Sequence, residues 1–267
     1  MLDDKKIGFI GGGFMAEALM NGLLKSGSTR PENISVSDIR ADRLEYLKSE
    51  YGVKTEVGNL GVASGSDLIV IAVKPQDVPT VLEEIGSTIT KTGIILSIAA
   101  GVRIGTIAEY FDGKVVRAMP NTCAQVGEAI TALAFDRHAE DADRDIAVAF
   151  FGSVGETVIV EENMMDAVTG ISGSGPAYIY LVIESLINAG VESGLKLEVA
   201  RQLVYQTVKG ASIMAIETGE HPATLRERIT SPNGTTAAAL HQLEEKGTRG
   251  IFMDAVAAAV NRSKELG

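Results

Sequence analysis

Residues 9–19 read FIGGGFMAEAL. The stretch leaves a β-rich run, KIGFI at 6–10, and opens a helical one, MAEALMNGLLKSG at 15–27. Between the two stands Gly11-x-Gly13-x-x-Ala16. Gly11 permits a tight turn, Gly13 lets backbone approach a pyrophosphate, and Ala16 lets the helix pack close to the strand. Phosphates then sit on the free N–H groups of the helix N-terminus, where the dipole favours anions. Glycine-rich turns also serve purely structural ends, so the pattern counts through its context. Here a strand precedes it, a helix follows, and Asp38 lies 22 residues past Ala16 at the end of the next strand. In that setting the motif predicts a dinucleotide site.

Working outward, NISVS (33–37) reads as a second strand and ADRLEYLKSEYG (41–52) as a second helix. DLIVIAV (67–73), GIILSIA (93–99) and KVVRAM (114–119) follow as strands, with a helical stretch at 103–112. Strands alternating with helices predict βαβ units and a parallel sheet. AITALAF (129–135) and ETVIVE (156–161) predict further strands at the sheet edge. After Glu162 the strand signal stops. Residues 163–194 have helical spacing broken by small residues, and 196–219 read as a long helix. A short helix at 221–229 and helices through 238–246 and 249–265 complete the chain. The expected fold class is α/β: an N-terminal Rossmann-like doubly wound sheet over 1–162 and an all-α C-terminal domain over 163–267. No repeat or low-complexity linker interrupts it.

Composition narrows the function classes. A net charge of −11 speaks against a nucleic-acid partner, since a phosphate backbone demands clustered Lys and Arg. Cys123 is the one cysteine, which leaves no internal disulfide and no multi-cysteine zinc cluster. His138, His221 and His241 are far apart without metal spacing, so no metal is expected. No apolar run approaches the roughly 18 residues of a membrane span. MLDDKKIGFIGGG (1–13) does not read as a signal peptide, because acidic residues come first and glycines interrupt the apolar stretch. A soluble, cytoplasmic protein is expected.

Several strand ends are candidates for the dinucleotide. An acidic residue at the place of Asp38 usually holds the ribose 2′-OH of NAD. Ser37, Arg40 and Arg43 surround it, and a nearby arginine holds a 2′-phosphate. The arginines tilt the reading to NADP, with NAD and a merely solvated helix start as the alternatives. AVKP (72–75) and AAG (99–101) end two central strands, and their small residues with Pro75 leave room for a flat nicotinamide. Lys74 reads either as a catalytic cation or as a phosphate or loop partner. Asn121, in MPNT (119–122), ends the next strand and is placed to aim an amide at the same spot.

Two stretches of the second half also carry chemistry. SGSGPAY (172–178) reads either as a helix crossing that needs small side chains or as a kink presenting N–H groups and the Ser172 or Ser174 hydroxyl to a ligand. SPNGTT (231–236) leaves several N–H groups free ahead of a helix, a nest that suits a small carboxylate. Thr235 and Thr236 add hydroxyls for a neighbouring heteroatom. A self-capped helix start is the plainer reading, and it explains one hydroxyl.

Together and in this order, IGFIGGGFMAEAL, AVKPQDV, SIAAGV, RAMPNT, DAVTGISGSGPAY and SPNGTTAAALHQLE resemble pyrroline-5-carboxylate reductase over nearly the whole chain, the last two motifs being quite specific to that family. The resemblance implies reduction of 1-pyrroline-5-carboxylate to L-proline with NADPH or NADH, the last step of proline synthesis. It implies a homodimer built by interleaving the helical domains, often assembled further into a ring, a decamer. The substrate would lie between the nicotinamide and the SPNGTT turn of the dimer partner. Carried over by motif, Gly11, Gly12, Gly13, Phe14, Met15, Ser37, Asn59, Ala72, Val73, Lys74, Pro75, Ala99 and Ala100 would hold the cofactor. The turn from Ser231 through Gly234 and Thr235 would bind the substrate carboxylate by N–H groups, and Thr236 would be the catalytic group on the ring nitrogen. The family usually has proline where Cys123 stands and glycine where Asn233 stands; asparagine tolerates positive φ better than most residues.

Hydroxyacid dehydrogenases of similar architecture need a lysine on the first long helix of the second domain, and 163–195 contains none. A deazaflavin–NADP reductase shares the glycine turn but typically lacks the long helical domain and the SPNGTT turn. A non-catalytic NADP sensor would need no second pocket, so the anion nest at 231–236 discriminates against it.

Overall fold

The computed structural model describes residues 2–90 and 92–266. The first half runs β1 (Ile7–Ile10), α1 (Phe14–Lys25), β2 (Ile34–Ser37), α2 (Ala41–Tyr51), β3 (Lys54–Glu56), α3 (Asn59–Ser64), β4 (Leu68–Ile71), α4 (Val78–Ile85), β5 (Ile94–Ser97), α5 (Ile104–Ala108) and β6 (Lys114–Met119). Then follow β7 (Ala129–Phe135), α6 (Asp141–Gly152), β8 (Gly155–Ile159), α7 (Met165–Val168), α8 (Gly175–Glu192), α9 (Leu197–Thr218), α10 (Pro222–Arg228), α11 (Thr235–Glu245) and α12 (Thr248–Leu266).

The strands form one eight-stranded sheet in the order β3-β2-β1-β4-β5-β6-β7-β8. Pairing is parallel from β3 to β6. β7 runs antiparallel to β6, and β8 parallel to β7. β2 and β4 both flank β1, so the winding reverses there, and the crevice of such a sheet opens beyond the carboxyl ends of β1 and β4. The central strands are buried on both faces, as a sheet covered by helices requires. Side chains alternate between two cores: Leu68, Val70 and Leu96 join Leu19, Leu23, Phe150 and Phe151 on one face. Ile69, Ile71 and Ile95 join Leu82, Ile85 and Ile107 on the other. Each such side chain contributes about 1.5–3 kcal/mol by leaving water.

The expected edge strands lie where the pattern put them. β3 is a strand that the pattern did not announce: it is three residues long, has no buried side chain, and is defined by pairing with β2. α11 starts at Thr235, three residues ahead of the expected 238, because its first turn is polar and carries no apolar periodicity.

The chain divides into two compact units, Met1–Ser174 with Ala258–Gly267, and Gly175–Ala257. The sequence pattern changes near 162, but compactness changes at 174. The reason is packing: Met165 is buried in the second sheet core, and a Cβ at Gly173 would meet Met119 at 2.7 Å. Ser263 donates a hydrogen bond to Asp166 at 2.7 Å. In the second unit α8 and α9 pack closely; a Cβ at Gly190 would stand 3.2 Å from the Ala200 Cβ. A groove of about 670 Å³ between them is lined by Tyr180, Glu184, Ile187, Leu197, Arg201 and Tyr205.

Candidate active site

The glycine turn joins β1 to α1 at the crevice. Gly11 has φ +98°, and a Cβ there would meet the Ala72 carbonyl oxygen at 2.8 Å. Its N–H donates to the Ser37 carbonyl at 2.8 Å. One residue therefore ties the ends of β1, β2 and β4 together, and only glycine fits. Gly13 caps α1 in an extended conformation with no side-chain cap. A Cβ at Gly13 would meet nothing within 4 Å. The first-turn N–H groups of α1, including those of Phe14 and Met15, have no partner inside the helix. Open space in front of an uncapped helix N-terminus fits a pyrophosphate.

Asp38 follows β2 with both carboxylate oxygens occupied by backbone. Oδ2 accepts the Gly12 N–H at 2.8 Å and Oδ1 accepts the Arg40 N–H at 2.9 Å. The Arg40 guanidinium, exposed, pairs with Asp42. Arg43 turns the other way: it donates to the Gly12 carbonyl, pairs with Glu17, and lies 5.1 Å from the Tyr46 ring centre. Glu17 also accepts from Tyr46 at 3.0 Å and from Tyr51 at 2.8 Å. Burial by itself would raise the Glu17 carboxyl; the donors Arg43, Tyr51 and Tyr46 outweigh it and hold the group below the usual glutamate range. Burial and the Glu17 carboxylate push the Tyr51 phenol up. This clamp escaped the sequence reading. Its one local signal was an acid in the first turn of α1.

Two expected cofactor residues have hydrogen-bond partners within the fold. Ser37 is fully buried, and its hydroxyl donates to Asn59 Oδ1 at 2.8 Å. It positions Asn59, whose amide reaches Glu84 at 2.7 Å. Asn121 is buried as well; its amide donates to the Ser172 carbonyl at 3.1 Å while its oxygen accepts the Cys123 N–H at 3.2 Å. It fastens the end of β6 to the small-residue stretch. Ala72 and Val73 follow β4, and Lys74 is exposed at the start of a single 3-10 turn, Pro75–Asp77. Ala99 is buried and Ala100 half-buried beyond β5.

At SGSGPAY the chain makes a π turn over Thr169–Gly173 before α8 starts. The Ser172 hydroxyl donates back to the Val168 carbonyl at 3.1 Å, and Gly173 gives room to Met119. Both observations support the packing reading there. Ser174 lies half-buried at the junction.

The second candidate region belongs to the second unit. The Gly234 N–H donates to the Ser231 carbonyl at 3.0 Å, and Asn233 has φ 58°. Proline then asparagine at the turn's centre matches a type II turn. A Cβ at Gly234 would meet Ser231 Oγ at 2.5 Å. Gly234 also caps α11 with no side-chain cap. Neither threonine hydroxyl is therefore spent on self-capping. The Gly234 N–H closes the turn on the Ser231 carbonyl, and Pro232 has no N–H to offer. The donors left at the helix start are the N–H groups of Thr235, Thr236 and Ala237.

Comparison with known proteins then decides the family. Residues 162–266 match the family described as pyrroline-5-carboxylate reductase dimerisation. Residues 6–101 match that described as NADP oxidoreductase coenzyme F420-dependent. The pyrroline-5-carboxylate reductase of Methanosarcina acetivorans is 44% identical over 100% of this chain and 99% of its own. The chain belongs to the pyrroline-5-carboxylate reductase family. Solved structures of pyrroline-5-carboxylate reductases agree over the full length. That from Coxiella burnetii is 37% identical with a TM-score of 0.91, covering 99% of both chains. That from Plasmodium falciparum, with NADP bound, is 34% identical with a TM-score of 0.91, again covering 99% of both.

The match at 6–101 covers only the dinucleotide half, whereas the pyrroline-5-carboxylate reductases cover both, which removes the deazaflavin rival. The two departures from the family's usual residues have simple local accounts. Asn233 is the one non-glycine with positive φ among the described residues, and asparagine bears that conformation. Cys123 supplies an N–H to the Asn121 cap, a bond that proline would lack.

Proposed function

We propose that this chain reduces 1-pyrroline-5-carboxylate to L-proline by hydride transfer from NADPH, with NADH also accepted, as the last step of proline synthesis. One observation carries the reading: a single chain holds an open glycine turn before α1, where a Cβ at Gly13 would meet nothing within 4 Å, and a Pro-Asn-Gly turn before α11 that leaves both threonine hydroxyls unspent on capping. A dinucleotide pyrophosphate and a small carboxylate are the anions they suit. The NADP in the Plasmodium falciparum relative and the likeness of residues 6–101 to NADP oxidoreductases support the cofactor.

Gly11, Gly12, Gly13, Phe14 and Met15 would hold the pyrophosphate. Ala72, Val73, Pro75, Ala99 and Ala100, small or flat, leave room for the nicotinamide, which supplies the hydride when bound. The N–H groups of Thr235 and Thr236, with the dipole of α11, would hold the substrate carboxylate. The Thr236 hydroxyl would hydrogen-bond the ring nitrogen and so fix the orientation of the C=N carbon; orientation is the main catalytic contribution here. The imine nitrogen takes its proton from water near neutral pH. Hydride addition to carbon turns C=N into C–N and leaves the amine, so no strong protein acid is needed.

We assign dinucleotide binding to 1–162, and dimerisation with substrate binding to 163–267. The proposed assembly is a homodimer through the helices, with a decamer as its larger form. The apolar side chains that the helices leave exposed support it: Leu181, Leu203, Tyr205, Ile216, Ile251 and Met253 are each more than half exposed in the single chain. The acidic balance and single cysteine support a cytoplasmic setting. No helix among the described residues is long and apolar enough to cross a membrane.

The test is to mix the protein with 1-pyrroline-5-carboxylate and follow NADPH oxidation, with a 2-keto acid as control. Oxidation with the imine alone is expected. Tight NADPH binding without turnover would overturn the reading in favour of a nucleotide sensor.

A further inference from the structure

The sheet face that packs on α4 and α5 is apolar through Ile71, Ile95, Val115 and Ala134. Two polar side chains interrupt it. Arg117 lies two positions beyond Val115 on β6, so it points the same way, and it is only 6% exposed. Ser97 stands in register with it at the end of β5. The Ser97 hydroxyl is fully buried and has no hydrogen-bond partner among the described residues. Taking a guanidinium out of water is costly, and an apolar residue of similar volume often serves stability as well or better. Stability therefore does not account for Arg117, and its contacts show what it holds.

Arg117 Nη1 donates to Glu162 Oε1 at 3.3 Å. The same oxygen accepts the Ile104 N–H at 2.7 Å. Ile104 is the first residue of α5, whose N-cap, Arg103, makes no side-chain bond. Glu162 thus caps α5 from 58 positions away. Ile104 also closes the connection 98–103 that leaves β5. At its other end the Ile98 N–H donates to the Ile71 carbonyl at 3.1 Å. Between these anchors lie Ala99, Ala100 and Gly101, the last with φ +80°. The connection has no helix or strand of its own, so its path depends on where its ends are held. Ala99 and Ala100 are the residues on which the nicotinamide would rest. Arg117 fixes the carboxylate, the carboxylate fixes Ile104, and Ile104 fixes the loop.

We propose that Arg117 and Glu162 are positioning residues for hydride transfer: their bridge through Glu162 Oε1 sets the path of 98–103 and thereby the orientation of the nicotinamide ring. Neither side chain touches the reacting atoms. The inference rests on the dinucleotide site proposed above. The adenosine half would lie past β2, with β1 and β4 between it and this loop, and does not depend on the bridge.

The experiment measures four quantities on the full-length protein: affinity for NADPH by fluorescence, affinity for adenosine 2′,5′-bisphosphate by calorimetry, thermal melting, and kcat and KM with 1-pyrroline-5-carboxylate. Wild type is compared with Arg117→Met, Glu162→Ala, Glu162→Gln and the double variant R117M/E162A. The Glu162 side chain is 32% exposed and reaches water when Arg117 is replaced, so Arg117→Met should fold and melt near wild type. Arg117→Met and Glu162→Ala are expected to bind the bisphosphate within about twofold of wild type but NADPH about fivefold or more weaker. Their kcat should fall by roughly tenfold to a hundredfold, as a misplacement of about 1 Å entails. Glu162→Gln keeps an oxygen for both donors and should retain most of kcat; it carries the test should Glu162→Ala not fold. The double variant should lose no more than the worse single one, because both act through one bridge. Equal weakening of NADPH and the bisphosphate overturns the proposal. So does NADPH affinity and kcat within about twofold of wild type in Arg117→Met and Glu162→Ala, or a loss in Glu162→Gln as deep as in Glu162→Ala. If the two affinities separate as expected and the wild type does not reduce the imine, the positioning assignment stands and the reductase reading fails.

Discussion

A methyl group added at Gly11 and one added at Gly13 face opposite circumstances. At Gly11 it must adopt φ +98°, which costs an L-residue about 1–2 kcal/mol, and it must press on the Ala72 carbonyl at 2.8 Å. At Gly13, with φ −66° and nothing within 4 Å, the fold bears it. Gly11→Ala is therefore expected to lower both the melting temperature and NADPH affinity. Gly13→Ala should change the melting temperature little yet weaken NADPH at least tenfold, because the methyl takes the space of the pyrophosphate. Thermal melts beside fluorescence titrations check both. Thr236 is argued at the same scale. Its hydroxyl is not used to cap α11, so its removal should spare the helix. A hydrogen bond to the reacting substrate is worth about 1–3 kcal/mol, so Thr236→Ala is expected to lower kcat/KM by roughly tenfold to a hundredfold. Steady-state kinetics at saturating NADPH decide it; full kcat and KM in the variant would end that role for Thr236.

At the scale of elements, the Glu17 clamp joins the start of α1 to α2 and to the glycine turn. Burial raises the Glu17 carboxyl, its hydrogen-bond donors more than compensate, and the net shift is downward. A carboxyl depressed on folding stabilises above its unfolded value of about 4.3 and loses that contribution as pH falls through its folded value. Glu17→Gln is thus expected to cost about 1.5–3 kcal/mol near neutral pH, the range of a hydrogen bond to a charged group. The difference from wild type should shrink below about pH 4. Urea denaturation of both proteins across pH 3 to 8 measures it; a difference independent of pH would show that the charge of Glu17 is not what holds the two helices.

For the whole molecule the helical unit sets the terms. Within one chain α8 buries only Ile187, α9 only Ala200, and α11 nothing. Helices this long and this apolar are unstable in water unless another surface covers them. Stability should therefore rise with protein concentration, as it does when folding and association are one equilibrium. The expected result is a melting temperature that climbs over a hundredfold range of concentration. Leu203→Asp, at a site 53% exposed in the single chain, should shift sedimentation toward monomer and abolish the concentration dependence. A melting temperature that does not move with concentration would argue against dimerisation through this surface.

What the residues by themselves determined was local in origin. Gly11-x-Gly13-x-x-Ala16 between a strand and a helix, the buried strand runs, and the Pro-Asn-Gly turn before α11 all act within a few positions, so spacing alone reveals them. The class of fold, the family and the two helix N-termini followed from these. The tertiary structure alone decided which polar groups are left for a ligand. Ser37 and Asn121 were legible as polar residues at strand ends, but the partners that engage their side chains lie 22 and 51 positions away. Arg43 looked like a phosphate ligand until Glu17, 26 positions distant, took it. The boundary at 174 was likewise hidden, since it depends on where Met165 and Gly173 pack and not on the pattern around them. A hydrogen bond is satisfied by whatever the fold brings within reach, and periodicity carries no record of that distance.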